Sequence, residues 1–173
     1  ILSTFGETVA NTVQELFPEE NAEEVMQVYR SYQQKHSAGA YRLYPGIREL
    51  LGELKEHRYK LSIVTSRLGN TTMQYLGEMG IKDKFDVIVT ADDVTSPKPD
   101  PTPLLTAMDK LGVGRDESIM LGDTRFDIGC CVNAGVDSIL VGWGRSCGRT
   151  SLRGLEPTYR IYQPGDLFEI IEG

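Results

Sequence analysis

The residues best suited to chemistry in this chain lie in three short stretches, each at the end of an apolar run. "IMLGDTRFD" sets Asp123 after Ile119, Met120 and Leu121, with Asp127 at the fourth position beyond it. On the first turn of a helix that spacing puts both carboxylates on one face. Capping by Asp123, favoured by the helix dipole, explains one acid and leaves the other unexplained. Two carboxylates this close repel unless a cation compensates them, as when hard oxygen ligands hold Mg2+. Asp123 and Asp127 are therefore the candidate metal ligands, with Asp127 also suited to supporting a ligand from behind.

The second stretch, "LSIVTSR", closes on Thr65, Ser66 and Arg67, with a helix start expected near Asn70. Hydroxyls and free backbone N–H groups there suit a phosphate oxygen, while helix capping by Ser66 or Asn70 is the competing reading. Arg67 is placed either at the phosphate rim or on the surface. The third, "TSPKPDP", holds Lys98 between Pro97 and Pro99, which fix the local backbone. A lysine just before a helix opposes the dipole at ~0.3 to 1 kcal/mol unless an anion sits nearby. A carboxylate, a phosphate or both would supply that anion.

Continuous apolar runs alternating with helical patterns must position these residues. Strands are expected at "KLSIVTS", "FDVIVT", "SIMLGD", "VDSILVGWG" and near "TYRIY". Helices are expected around Ile47 to His57, Thr71 to Met79, Pro103 to Leu111, and from the third strand to Ala134. This pattern predicts a doubly wound α/β fold with a parallel sheet covered on both faces, whose ligands bind beyond the carboxyl ends of the strands. From Glu7 to about Ser37 the periodicity is helical throughout, broken at Pro18, and "SAGAYRLYPG" (37–46) reads as a linker. The predicted division is a helical part over 1–43 and an α/β core over 44–173.

Composition excludes several classes. At 173 residues, 40% hydrophobic and 25% charged, the chain suits one core with a small subdomain. No apolar stretch approaches the ~20 residues of a membrane span and no signal-peptide pattern opens the chain, so a cytoplasmic location is expected. Cys130, Cys131 and Cys147 lack metal-ligand spacing and read as buried or idle thiols. A net charge of -7 without a basic stripe argues against nucleic acid and membrane surfaces, leaving an anionic substrate to local charge.

A strand-end hydroxyl, a lysine in a Pro-rich loop and a GDxxxD strand end, in that order, resemble motifs two, three and four of the haloacid dehalogenase superfamily of phosphohydrolases. "YPGIRELLGELK", "FDVIVTADDV" and "NAGVDSILVGWG" extend the likeness to the phosphoglycolate phosphatase branch and its pyrophosphate-hydrolysing relatives, over essentially the whole chain. The resemblance implies a Rossmann-like core, with the helices before Tyr44 forming part of a helical cap. It implies that Thr65 holds a phosphoryl oxygen, that Lys98 neutralises phosphate and nucleophile, and that Asp123 ligates Mg2+ with Asp127 in support. Gly6, Glu7 and Thr8 resemble the cap position that contacts substrate, and read equally as a helix start. Tyr29, Tyr32, Tyr41 and Tyr44 either line the cap–core cleft or simply pack.

The family's first motif, the DxD that supplies the nucleophile, is absent from this sequence. In the family its strand lies mid-sheet, so the resemblance implies a C-terminal portion of a longer protein. The complete protein is expected to be a Mg2+-dependent phosphatase acting through an aspartyl-phosphate, and this chain alone to be inactive. Expected partners are a small phosphorylated metabolite, the segment completing the sheet and, compatibly, a second copy of the chain as a homodimer. The expected substrate is a small phosphoglycolate-like monoester; the alternatives are a pyrophosphatase of the same branch and a non-catalytic pseudophosphatase with a binding role. A receiver-type domain is disfavoured by motif order, and the glycines of "GWGRSCG" miss dinucleotide-binding spacing.

Overall fold

The computed structural model describes residues 4, 6–36, 39, 41–143 and 152–173. Two helices come first. Helix α1 (Val9–Leu16) is capped by Thr8, whose hydroxyl accepts from the Asn11 N–H at 3.2 Å. After Pro18, the Asn21 side chain accepts from Glu23 N–H at 3.0 Å and starts α2 (Ala22–His36). The two helices pack on each other and bury Val13, but leave Phe17, Val28 and Tyr32 largely exposed.

Strands and helices then alternate as expected: α3 (Ile47–Glu56), β1 (Ser62–Val64), α4 (Gly69–Glu78), β2 (Val87–Val89), α5 (Thr102–Leu111), β3 (Ile119–Gly122), α6 (Arg125–Ala134), β4 (Asp137–Val141), β5 (Tyr159–Ile161) and α7 (Leu167–Ile171). All strand pairs are parallel. The strands are shorter than the apolar runs that announced them. The last part of the expected fourth strand, the glycine-rich loop after Trp143 and Cys147 lie outside the described residues.

Among the described residues the parallel strands fall into two sheets, β1–β2 and β3–β4–β5. β1 pairs only with β2, and β3 only with β4, so each keeps one edge without a ladder. The helices nevertheless bind the two together. Leu104 and Met108 of α5 with Cys130, Cys131 and Ala134 of α6 form one buried cluster, against which both Val64 of β1 and Met120 of β3 pack. A second cluster joins Leu50 and Leu54 of α3 to Ile139, Val141 and Ile161 of the larger sheet. Burial pushes the Cys130 thiol up to about 11 and the Cys131 thiol up to about 12, as expected of inert core thiols.

Candidate active site

The turn after β3 is built by a capping box. Thr124 is the N-cap of α6, and Asp127 Oδ2 accepts from the Thr124 N–H at 3.0 Å and from its hydroxyl at 2.7 Å. The T-x-x-D spacing that announces this box was legible in the sequence but not read there. Gly122 is required for the approach, since a Cβ at that position would lie 2.2 Å from Asp127 Cβ. The other carboxylate oxygen, Oδ1, receives Lys98 Nζ at 2.5 Å, and the same ammonium donates to the Val64 carbonyl at 3.2 Å. Lys98 is 7% exposed and Asp127 6%.

This geometry changes the reading of the two acids. Asp127 is compensated by a buried lysine, and each of its oxygens accepts at least one hydrogen bond, from Lys98 on Oδ1 and from Thr124 on Oδ2. Asp123 precedes the N-cap, which is Thr124; it neither caps α6 nor shares a helical face with Asp127. It is half-buried, and its carboxylate has no hydrogen bond or ion pair among the described residues. No group of three or more His, Cys, Asp or Glu able to hold a metal occurs among those residues. Any ion here would rely on Asp123 and on oxygens brought by water or substrate.

At the end of β1, the Thr65 N–H continues the ladder to the Val89 carbonyl at 2.9 Å. Its hydroxyl oxygen accepts from the Arg67 N–H at 3.2 Å, which leaves the hydroxyl proton to donate. The backbone N–H of Ser66 has no partner among the described residues. Leu68, not Ser66 or Asn70, is the N-cap of α4, and the Asp92 carboxylate already accepts from the Gly69 N–H at 2.7 Å. Among the described residues, the Thr65 hydroxyl proton and the Ser66 N–H are thus donors at this strand end that have no acceptor.

Ser66 and Arg67 spend their side chains elsewhere. The Ser66 hydroxyl donates to the Gly6 carbonyl at 2.9 Å. The Arg67 guanidinium lies 5.0 Å from the Tyr75 ring centre and 5.7 Å from that of Tyr41, the two rings being 4.0 Å apart. Burial raises the Tyr41 hydroxyl, but its hydrogen bond with Tyr75 and the Arg67 charge outweigh this and hold it below the usual phenol range. Gly6, at φ +91°, rests on Thr124: a Cβ would sit 2.5 Å from the threonine hydroxyl oxygen. Glu7 turns into α1, accepting from Asn11 Nδ2 at 2.9 Å. Tyr32 stacks on His36 at 4.1 Å. Of the four tyrosines only Tyr41 is tied to the loop after β1; Tyr29 and Tyr44 are exposed.

The contacts close on themselves: Thr65 and Ser66 lead to Gly6, then Thr124, Asp127 and Lys98, and the lysine returns to Val64 beside Thr65. Asp123 immediately precedes Thr124 in the chain and is half-buried.

The family model for haloacid dehalogenase-like hydrolases matches residues 1–141. A pyrophosphatase PpaX from Halalkalibacterium halodurans is 35% identical over 170 residues, covering 98% of this chain and 78% of the relative. That of Bacillus velezensis is 36% identical over 151 residues, covering 87% and 69%. Among solved structures, a protein assigned as a phosphoglycolate phosphatase from Lactobacillus plantarum superimposes with a TM-score of 0.82 at 28% identity, covering 98% of this chain and 80% of that one. With its Rossmann-like α/β core, the chain belongs to the haloacid dehalogenase-like hydrolase family, on its phosphatase and pyrophosphatase branch.

Proposed function

We propose that the active protein hydrolyses a small phosphate monoester of the phosphoglycolate kind through an aspartyl-phosphate, in the cytoplasm. The observation that carries this reading is the buried Lys98, held by Asp127 and the Val64 carbonyl between the carboxyl ends of two half-sheets. Phosphoryl transfer asks a protein chiefly for positioning and charge neutralisation. Thr65 Oγ1 and the Ser66 N–H donate to phosphoryl oxygens, and Lys98 offsets their charge. Asp127 keeps the ammonium aimed. Asp123, without a partner among the described residues and at the mouth of β3, fits a hard cation that is commonly held by one or two carboxylates together with substrate oxygens and water. Bound there, Mg2+ supplies Lewis-acid stabilisation of the phosphoryl oxygens.

This sequence contains no DxD triplet, and on this reading the attacking carboxylate is supplied from outside it. We place it on a strand between the open edges of β1 and β3, where a parallel strand would pair on both sides and end beside Lys98. That carboxylate attacks phosphorus and expels the leaving alcohol; water, activated by a second acid, then frees the enzyme and inorganic phosphate. Pyrophosphate is the second reading, favoured by the names of the relatives.

The test is turnover with Mg2+ on 2-phosphoglycolate and on pyrophosphate, by this chain alone and with the first-motif segment of the Halalkalibacterium halodurans relative supplied in trans. Background rates alone, Mg2+-dependent turnover on addition, and its loss in Asp123→Asn are expected. Turnover by the unaided chain would remove the nucleophile assignment. Which substrate is consumed decides between the two readings.

A further inference from the structure

The loop after β1 holds more than the phosphate site. Its neighbours in sequence, Ser66 and Arg67, each grip one flank of the helical pair α1–α2, at the two places where the chain beside the pair crosses onto the α/β core. Ser66 Oγ bonds to the Gly6 carbonyl, just before α1. Arg67 lies over Tyr41, after α2, and clamps it against Tyr75 of α4. Both chain crossings thus end on residues adjacent to Thr65, and Gly6 touches Thr124 on the opposite side of the site as well.

We propose that the loop 65–67 couples phosphate occupancy to the position of the helical pair, with Ser66 and Arg67 as positioning residues. Phosphate on Thr65 Oγ1 and the Ser66 N–H fixes the backbone from which both side chains project, so binding tightens both crossings at once. Neither side chain needs to touch the phosphate. The coupling rests on the phosphate reading given above for Thr65.

Backbone hydrogen exchange resolved along the chain tests it, with inorganic phosphate as the probe. Without phosphate, Ser66→Ala is expected to speed exchange at residues 6–8 about fivefold, the worth of one ordinary hydrogen bond, with α5 and α6 unchanged and Ser66→Thr restoring the slow rate. Arg67→Gln is expected to act in the same way on residues 41–44. Added phosphate should slow exchange at both crossings in the unaltered protein, and only at the uncut crossing in each variant. Unchanged crossings in the variants would overturn the tether. Protection of residues 65–68 without any response at the crossings would overturn the coupling while leaving the phosphate site standing. No response at 65–68 would remove the phosphate reading and the coupling with it, while the phosphate-free rates still report on the tether.

Discussion

Two lysine–aspartate pairs sit at opposite ends of the same small sheet, and they do different work. At the amino ends of β1 and β2, Lys55 Nζ meets both oxygens of Asp86, at 2.9 and 2.8 Å, and Asp86 also accepts from the Leu61 N–H at 2.8 Å. At the carboxyl ends, Lys98 meets Asp127 in a site closed to water. The first pair is 32% and 41% exposed, so solvent screens it and it serves to clip β1 and β2 together. The second is 7% and 9% exposed, where each charge depends on the other. Burial, not the identity of the residues, turns a surface clip into a preorganised cation at a candidate active site.

The comparison breaks most visibly at the buried pair. Lys98→Ala leaves the Asp127 carboxylate without its partner, and a loss of about 3 to 5 kcal/mol in unfolding free energy is expected. Lys98→Met combined with Asp127→Asn removes both charges, and thermal melts should show much of that loss recovered. Equal destabilisation by the single and double changes would mean that packing of the lysine stem, and not charge, holds the site.

A smaller effect sharpens the contrast by testing what aims Asp127. Thr124 caps α6 and binds the oxygen that faces away from Lys98. Thr124→Ala is expected to cost roughly 0.5 to 2 kcal/mol in chemical denaturation, the range for loss of an N-cap, and Thr124→Ser to cost less. No counterpart is expected at Asp86, which has no cap behind it.

How much of this was legible in the sequence differs between these same positions. The strand–helix alternation was readable because fully covered parallel strands leave unbroken apolar runs, and Lys98 stood out because its place before α5 demanded an anion. That the anion is Asp127 was not readable. Two acids four apart suggest a shared helical face, but the helix begins at Arg125, and the threonine between them takes the cap. Nor does local patterning show that Ser66 reaches Gly6, since their contact crosses 60 positions of chain. The gap between the two half-sheets was readable only through the family resemblance, whose mid-sheet strand is missing here, because an apolar run shows that a strand is buried, not which edges find a partner.

The smallest effect belongs to the exposed pair, and its sign follows from linkage. The hydrogen bond from Lys55, then that from the Leu61 N–H, hold the Asp86 carboxyl below the usual carboxylate range. A folded-state value below the unfolded one stabilises the protein above the unfolded value, near pH 4, and the gain is lost as pH falls through the folded value. With 41% of the Asp86 side chain exposed, the gain is discounted for screening to below about 1 kcal/mol. Asp86→Asn should therefore melt slightly below the unaltered protein at pH 7, and the gap should close as pH falls from about 4 through the lower folded value, below which both side chains are neutral. Salt at pH 7 should narrow the same gap, because the pair is within reach of counterions, while leaving the Lys98→Ala deficit nearly untouched. A gap that persists at low pH would show that the Asp86 site acts through hydrogen bonds that an amide cannot replace, and the two ends of the sheet would then differ in kind rather than in burial.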